Sequence, residues 1–137
     1  MQNTGKSALG LEGNVAALLG YIIWIIALIS VIIEKENRFV RFHAIQSLLM
    51  HASFAVIFIV LAILQVCLTI IFGVAASAAG SAGGAMGSIF ALLSGLVWMV
   101  VPLLLLVGII FAAYKAYQGE MFKLPIIGNM AQKFAGS

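Results

Sequence analysis

The chain has 137 residues, enough for one domain, yet 64% of them are apolar and only 8% charged, and the mean hydropathy is +1.22. That composition excludes an ordinary water-soluble globular protein. The formal charge of +3 does not point to nucleic acid, because the basic residues are few and flank apolar runs, where they suit anionic lipid head groups.

Residues 1 to 14 are polar and carry glycines, and they read as an interfacial lead-in. Val15 to Ile33 follows as a first membrane span, about 28 Å long as a helix and close to the hydrocarbon thickness of a bilayer. It is too long for the apolar core of a signal peptide, and it ends in Glu34-Lys35-Glu36-Asn37 without a small-x-small cleavage pattern, so it is expected to stay attached.

Residues 34 to 43 form a connector with charges of both signs. The apolar stretch from Ala44 to Val74 would measure about 46 Å as one helix, too much for a perpendicular crossing. Either its first turns lie at the interface and a second span covers 52 to 74, or the helix is strongly tilted.

Residues 75 to 88 are Ala, Gly and Ser except for Met86, and this is where the chain is expected to loop. Gly80, Gly84 and Gly87 also fall at spacings that let membrane helices approach closely, so a helix-packing motif competes with a plain loop. The third span covers 89 to 114. Pro102 inside it lacks the N–H that would bond the Trp98 carbonyl, which predicts a kink. The helix is expected to run out near Gln118, with Gly119 suited to the left-handed closing position. The tail, 119 to 137, mixes apolar side chains with Lys123, Gln132 and Lys133 and reads as a segment lying along the membrane surface.

The expected architecture is therefore all-α: a single membrane domain over 1–137 with three transmembrane helices and interfacial terminal segments. Three crossings put the connector and the C-terminal end on one side. Lys35, Arg38, Arg41, Lys115, Lys123 and Lys133 lie there and only Lys6 lies opposite. The positive-inside rule then makes that side cytoplasmic, in a cell inner membrane, with the N-terminus across it.

Side chains that could recognise something concentrate between 34 and 47. Arg38 and Arg41 share a helical face, with Phe39 and Phe42 beside them and His43 and Gln46 following. These six are candidate lipid- or partner-binding residues, unless the segment serves only as a cytoplasmic anchor. His43 and His51 stand about 12 Å apart along a helix, too far to share a metal ion. No Asp occurs anywhere, no Glu lies within a span, and no Ser or Cys has a His and an acid in reach, so neither an enzyme nor a cofactor is implied. Cys67, within an apolar run, reads as an inert thiol.

Two stretches carry a family resemblance: FVRFHAIQS at 39–47, inside a longer match from Glu34, and AYQGEMFKLPIIG at 116–128. With them the chain resembles the small bacterial membrane proteins of unknown function that are grouped with the Tic-twenty component of the chloroplast inner-envelope import translocon. The resemblance implies an all-helical membrane protein and, from the plastid relatives, a protein-conducting role with partner proteins. The leading expectation from the residues is a non-enzymatic subunit or scaffold that contacts lipids and assembles with other membrane proteins or with itself. A translocation component acting as an oligomer is the alternative, and a membrane-bound immunity protein a further one.

Overall fold

The computed structural model describes residues 4–136. Regular structure among them is helical: α1 (Gly13–Ile22), α2 (Trp24–Ile33), α3 (Arg38–Ala78), one 3-10 turn (Gly80–Ala82), α4 (Gly83–Tyr117) and α5 (Ile127–Ala135). A single isolated antiparallel bridge joins Lys6 to Glu12. The chain divides into two units, one running to Ser53 and resuming at Leu106, the other covering Phe54–Leu105.

In the first unit the expected span at 15–33 is instead a helical hairpin. Ile23 is extended, with φ −121° and ψ 96°, and it separates two ten-residue helices, each about 15 Å long and too short to cross a bilayer. Their outer ends meet. The Ala8 N–H donates to Glu34 Oε2 at 2.7 Å, and Asn37 Nδ2 donates to the Thr4 carbonyl at 2.7 Å. Small inward residues, Ala16, Ala17, Gly20, Ala27 and Ser30, let the two helices close on each other. A Cβ on Gly20 would lie 3.5 Å from that of Ala27. No Gly or Pro marks the break; the reversal is held by contacts distant in sequence.

Asn37 caps α3, its Oδ1 accepting from the Val40 N–H at 3.2 Å. From Phe42 to Ser47 every residue is buried, so α3 begins as the central post of this unit. At the end of α4, Ala112, Ala113 and Ala116 are also buried in the core of this unit. Gly119 then stops α4 as expected: at φ 82° its N–H bonds the Ala116 carbonyl while that of Glu120 reaches back to Lys115, a complete Schellman closure. The tail beyond it ends in α5, which turns Gly128, Ala131 and Ala135 inward and leaves Met130 and Phe134 exposed.

The second unit is a two-helix hairpin made of α3 from Phe54 onward and α4 up to Leu105. Phe72 stacks on Phe90 at 4.7 Å, Phe58 on Trp98 at 6.2 Å, and Gln65 Nε2 donates to Ser94 Oγ at 3.2 Å, an antiparallel progression of partners. The expected loop at 75–88 contracts to a turn over 79–82, because alanine continues the helix as readily as any residue. Gly80, at φ +58°, reverses the chain, and a Cβ on Gly83 would collide with the Ala76 carbonyl. A Cβ on Gly84 or Gly87 would meet no atom of the described residues within 4 Å. Pro102 lies inside α4, which runs on past it to Tyr117.

Gly83 is the one residue in the buried class in this unit. Large apolar side chains point outward all round, with Leu92 75%, Val74 67% and Leu104 65% exposed. Hydroxyls return to carbonyls one turn earlier, Thr69 to Gln65 at 2.7 Å and Ser88 to Gly84 at 2.9 Å, which satisfies them without water. Among the described residues two helices are long and apolar enough to cross a membrane, with mean hydropathies of 3.0 and 2.8 over their richest windows. The expected first span, 15–33, is occupied by the two shorter helices of the α1–α2 hairpin.

Candidate functional site

The buried stretch of α3 aligns His43, Gln46, Ser47 and Met50 at i, i+3, i+4 and i+7, one face of a helix. Three of these are polar and wholly buried, so each requires partners. Ser47 Oγ donates to the Gly20 carbonyl at 2.7 Å, in the last turn of α1 where the break at Ile23 interrupts the helix. Gln46 spends its whole amide: Nε2 donates to the Tyr21 hydroxyl at 2.8 Å and to the Phe122 carbonyl at 3.0 Å, while Oε1 accepts from the Leu124 N–H at 3.1 Å.

His43 completes the chain of bonds. Its Nε2 lies 3.0 Å from the Glu120 carbonyl, which can only accept, so Nε2 carries the proton. In the neutral ring Nδ1 is then an acceptor, and it accepts a hydrogen bond from the Tyr21 hydroxyl at 3.1 Å. The imidazole is ringed by the edges of Phe39 at 4.5 Å, Phe42 at 5.0 Å and Tyr21 at 5.8 Å. Every donor in Tyr21, His43 and Gln46 meets an acceptor, which makes the cluster a lock joining the tip of the N-terminal hairpin, the start of α3 and the C-terminal tail.

Two glycines let the tail and the lead-in reach the lock. A Cβ on Gly128 would sit 2.6 Å from Lys123 Cβ and 2.9 Å from Gln46 Oε1, and one on Gly13 would sit 2.6 Å from the Thr4 carbonyl. Nearby, Asn14 Nδ2 donates to the Tyr117 carbonyl at 3.2 Å, and the buried Glu34 also accepts from the Asn37 N–H at 3.1 Å.

The six candidate binding residues thus separate. Phe42, His43 and Gln46 are fully buried and committed inward, so they offer nothing to a lipid or partner. Arg38 remains exposed, and Phe39 and Arg41 are half-buried. Gly80 lies in the turn of the other unit, and Gly84 and Gly87 lie in the first turns of its α4. His51 directs Nδ1 at the Ser47 carbonyl, 2.8 Å away, and no group of three metal-ligating side chains occurs among the described residues. Sequence reasoning missed Tyr21, Asn14, Glu34, Asn37 and Gly128. The signal for Tyr21 was available: a phenol in the middle of an apolar run needs a partner, and the polar triplet at 43, 46 and 47 is the only dense source.

Relatives match most of this chain's length. Two UPF0132 membrane proteins of Methanocaldococcus jannaschii are similar to it, one 34% identical across 96% of both chains, the other 32% identical across 93% of this chain and 73% of its own length. A UPF0132 membrane protein of Archaeoglobus fulgidus is 29% identical across 92% of this chain and 98% of its own. No solved structure matches. Residues 7–131, which contain the lock, both apolar hairpins and most of the tail, match one family throughout, and the chain belongs to it: the magnetosome magnetite crystal formation protein family.

Proposed function

We propose that the chain is a non-enzymatic membrane protein that crosses the inner membrane twice and serves as a subunit or scaffold of a membrane complex. One observation carries this reading: the Phe54–Leu105 hairpin is apolar on all faces and has no interior of its own. Lipid covers such a surface, and so do helices of a second copy or of another membrane protein. A groove of about 360 Å³ along Leu64, Leu68, Phe72, Phe90 and Leu93, with the Gln65–Ser94 pair at its floor, offers such a helix both shape and a hydrogen bond.

Two crossings return the chain to its starting side. All seven Lys and Arg residues then lie together, and the opposite turn at 79–82 has no charge. The positive-inside rule makes the shared side cytoplasmic, which moves the N-terminus from the side that three crossings imply. The α1–α2 hairpin, with Ile22, Trp24, Ile25, Leu28 and Ile32 exposed, is suited to dip into that leaflet and return. Ile126, Met130 and Phe134 suit the tail to its surface.

The family's description concerns magnetite crystal formation. Of the four glutamates here, Glu34 is committed to backbone N–H groups and Glu120 to Lys115 at 3.0 Å, a sparse donor set for a mineral face, and a mineral role is not part of the proposal. The resemblance to the plastid translocon component supports a second reading, a conducting oligomer, for which Gln65, Thr69 and Ser94 supply mid-hairpin polarity. Gentle detergent extraction with size analysis, alongside flux through proteoliposomes, separates the readings. A larger assembly with sealed liposomes supports the scaffold, passage of ions or peptide supports the pore, and a lone monomer with sealed liposomes refutes both.

A further inference from the structure

A notch of about 370 Å³ in the first unit is walled by Val31 of α2, by Arg41, Ile45, Leu48 and Leu49 of α3, and by Phe134 of α5. Its polarity is graded. Arg41 stands at one end, and Ile45, Leu48 and Leu49 follow at i+4, i+7 and i+8 on the same face of α3, about 12 Å of apolar floor leading toward the segment that crosses the bilayer. Arg41 Nε is buried without a hydrogen-bond partner, one of two such side-chain atoms among the described residues, the other being the Ser30 hydroxyl. The ion pair found among those residues is Lys115–Glu120, so no carboxylate of the described residues bridges to Arg41.

A buried guanidinium nitrogen without an acceptor is costly unless an acceptor arrives from outside. We propose that the notch holds one anionic phospholipid of the adjoining leaflet, its phosphate on Arg41 and one acyl chain along Ile45, Leu48 and Leu49. The planar guanidinium suits a phosphate, and the order of charge then apolar floor matches the order of head group then chain in a lipid entering from the cytoplasmic leaflet. Exposed Arg38, one turn earlier, adds attraction of the general kind that any surface cation supplies. Phe134, itself 62% exposed, closes the notch from the tail, so an occupied notch also holds α5 down.

This inference rests on the membrane placement proposed above, and the test is built to separate the two. The full chain is reconstituted in nanodiscs of mixed phosphatidylcholine and phosphatidylglycerol, released into mild detergent, and its retained lipid counted by native mass spectrometry, with flotation of proteoliposomes reporting insertion. The expected result is a single phosphatidylglycerol retained per chain. Arg41→Gln should weaken retention about tenfold, the worth of one charge-assisted bond, and Arg38→Gln much less. Leu49→Trp, which fills the notch while leaving both arginines, should also abolish retention. Equal losses for Arg38→Gln and Arg41→Gln, retention by Leu49→Trp, or displacement of the lipid by glycerol phosphate alone would overturn the proposal while leaving the membrane reading intact. Failure to float would overturn both.

Discussion

Replacing Gln46 by leucine removes an amide that holds the tail to α3 while keeping the volume nearly constant. The Phe122 carbonyl and the Leu124 N–H each lose their side-chain partner, at 3.0 Å and 3.1 Å, and the Tyr21 hydroxyl loses its donor. Each unpaired group costs about 1–3 kcal/mol if sealed from water, and partial hydration of the tail brings the total to about 2–4 kcal/mol. What else holds the tail lies at its start, in the His43 Nε2 bond to the Glu120 carbonyl and the edge contact of Phe122 with Phe111; farther on α5 buries Gly128, Ala131 and Ala135, and such small side chains remove little apolar surface. The tail should therefore open locally before the first unit unfolds. Hydrogen exchange at the Leu124 amide and limited proteolysis across 121–126 read this directly. Both should accelerate strongly in Gln46→Leu and also in Gln46→Glu, which still accepts from Leu124 but turns a carboxylate oxygen toward the Phe122 carbonyl. A Gln46→Leu protein whose tail is as protected as in the parent chain would refute the idea that these bonds govern docking.

Gly128→Ala should release the same tail by a steric route, since its Cβ would enter the space of Lys123 and Gln46 Oε1; overpacking of this kind costs about 1–3 kcal/mol, and proteolysis should again show it. Ile126 stands at φ 66° and ψ −61°, the centre of a γ-turn closed by the Ile127 N–H on the Pro125 carbonyl at 2.7 Å, a strained conformation for a β-branched residue. Ile126→Gly should leave thermal stability in detergent unchanged or raise it by about 1 kcal/mol, despite deleting a large side chain, because that side chain is 80% exposed; a marked loss would count against the strain argument. Topology can be read by labelling with an impermeant thiol reagent in a Cys67→Ser background. Ala8→Cys and Lys133→Cys should react from one side and Ser81→Cys from the other, whereas Ala8→Cys reacting together with Ser81→Cys would restore three crossings.

Much of the second unit was legible from residues alone, because hydropathy reports directly on the solvent a helix tolerates. The stop at Gly119 was legible too, since a left-handed closing residue has a strong preference for glycine. The loop at 75–88 was misjudged for a physical reason: scattered glycine lowers helix propensity by only about 1 kcal/mol per residue, and the alanines on both sides prevail until Gly80 takes positive φ. Phe42, His43 and Gln46 were read as a surface beside Arg38 and Arg41, as a charged connector suggests. Arg38 keeps that place, but α3 starts so early that the next full turn is already enclosed by α1, α4 and the tail.

The break at Ile23 is the point on which the membrane topology turns, and it shows where composition stops being informative. An apolar run of nineteen residues, Val15 to Ile33, states that lipid or protein surrounds it; it does not state that the chain leaves on the far side. Direction is decided by polar groups outside the run. Ser47 donates to the Gly20 carbonyl near the reversal, the Tyr21 hydroxyl donates a hydrogen bond to His43 Nδ1, and Glu34 and Asn37 tie the far end back to residues 4–8. Each of these bonds joins residues more than twenty apart, and a straight crossing would separate both ends of the run by the full bilayer and break the set at its outer end. The hairpin persists because those polar groups are otherwise buried without partners, a cost of several kcal/mol in an apolar medium. A crossing count taken from hydropathy is accordingly safe for a run without polar claims on its two ends. Here Glu34 and Asn37 make such claims, and under the two-crossing topology proposed above they change the side on which the N-terminal segment lies.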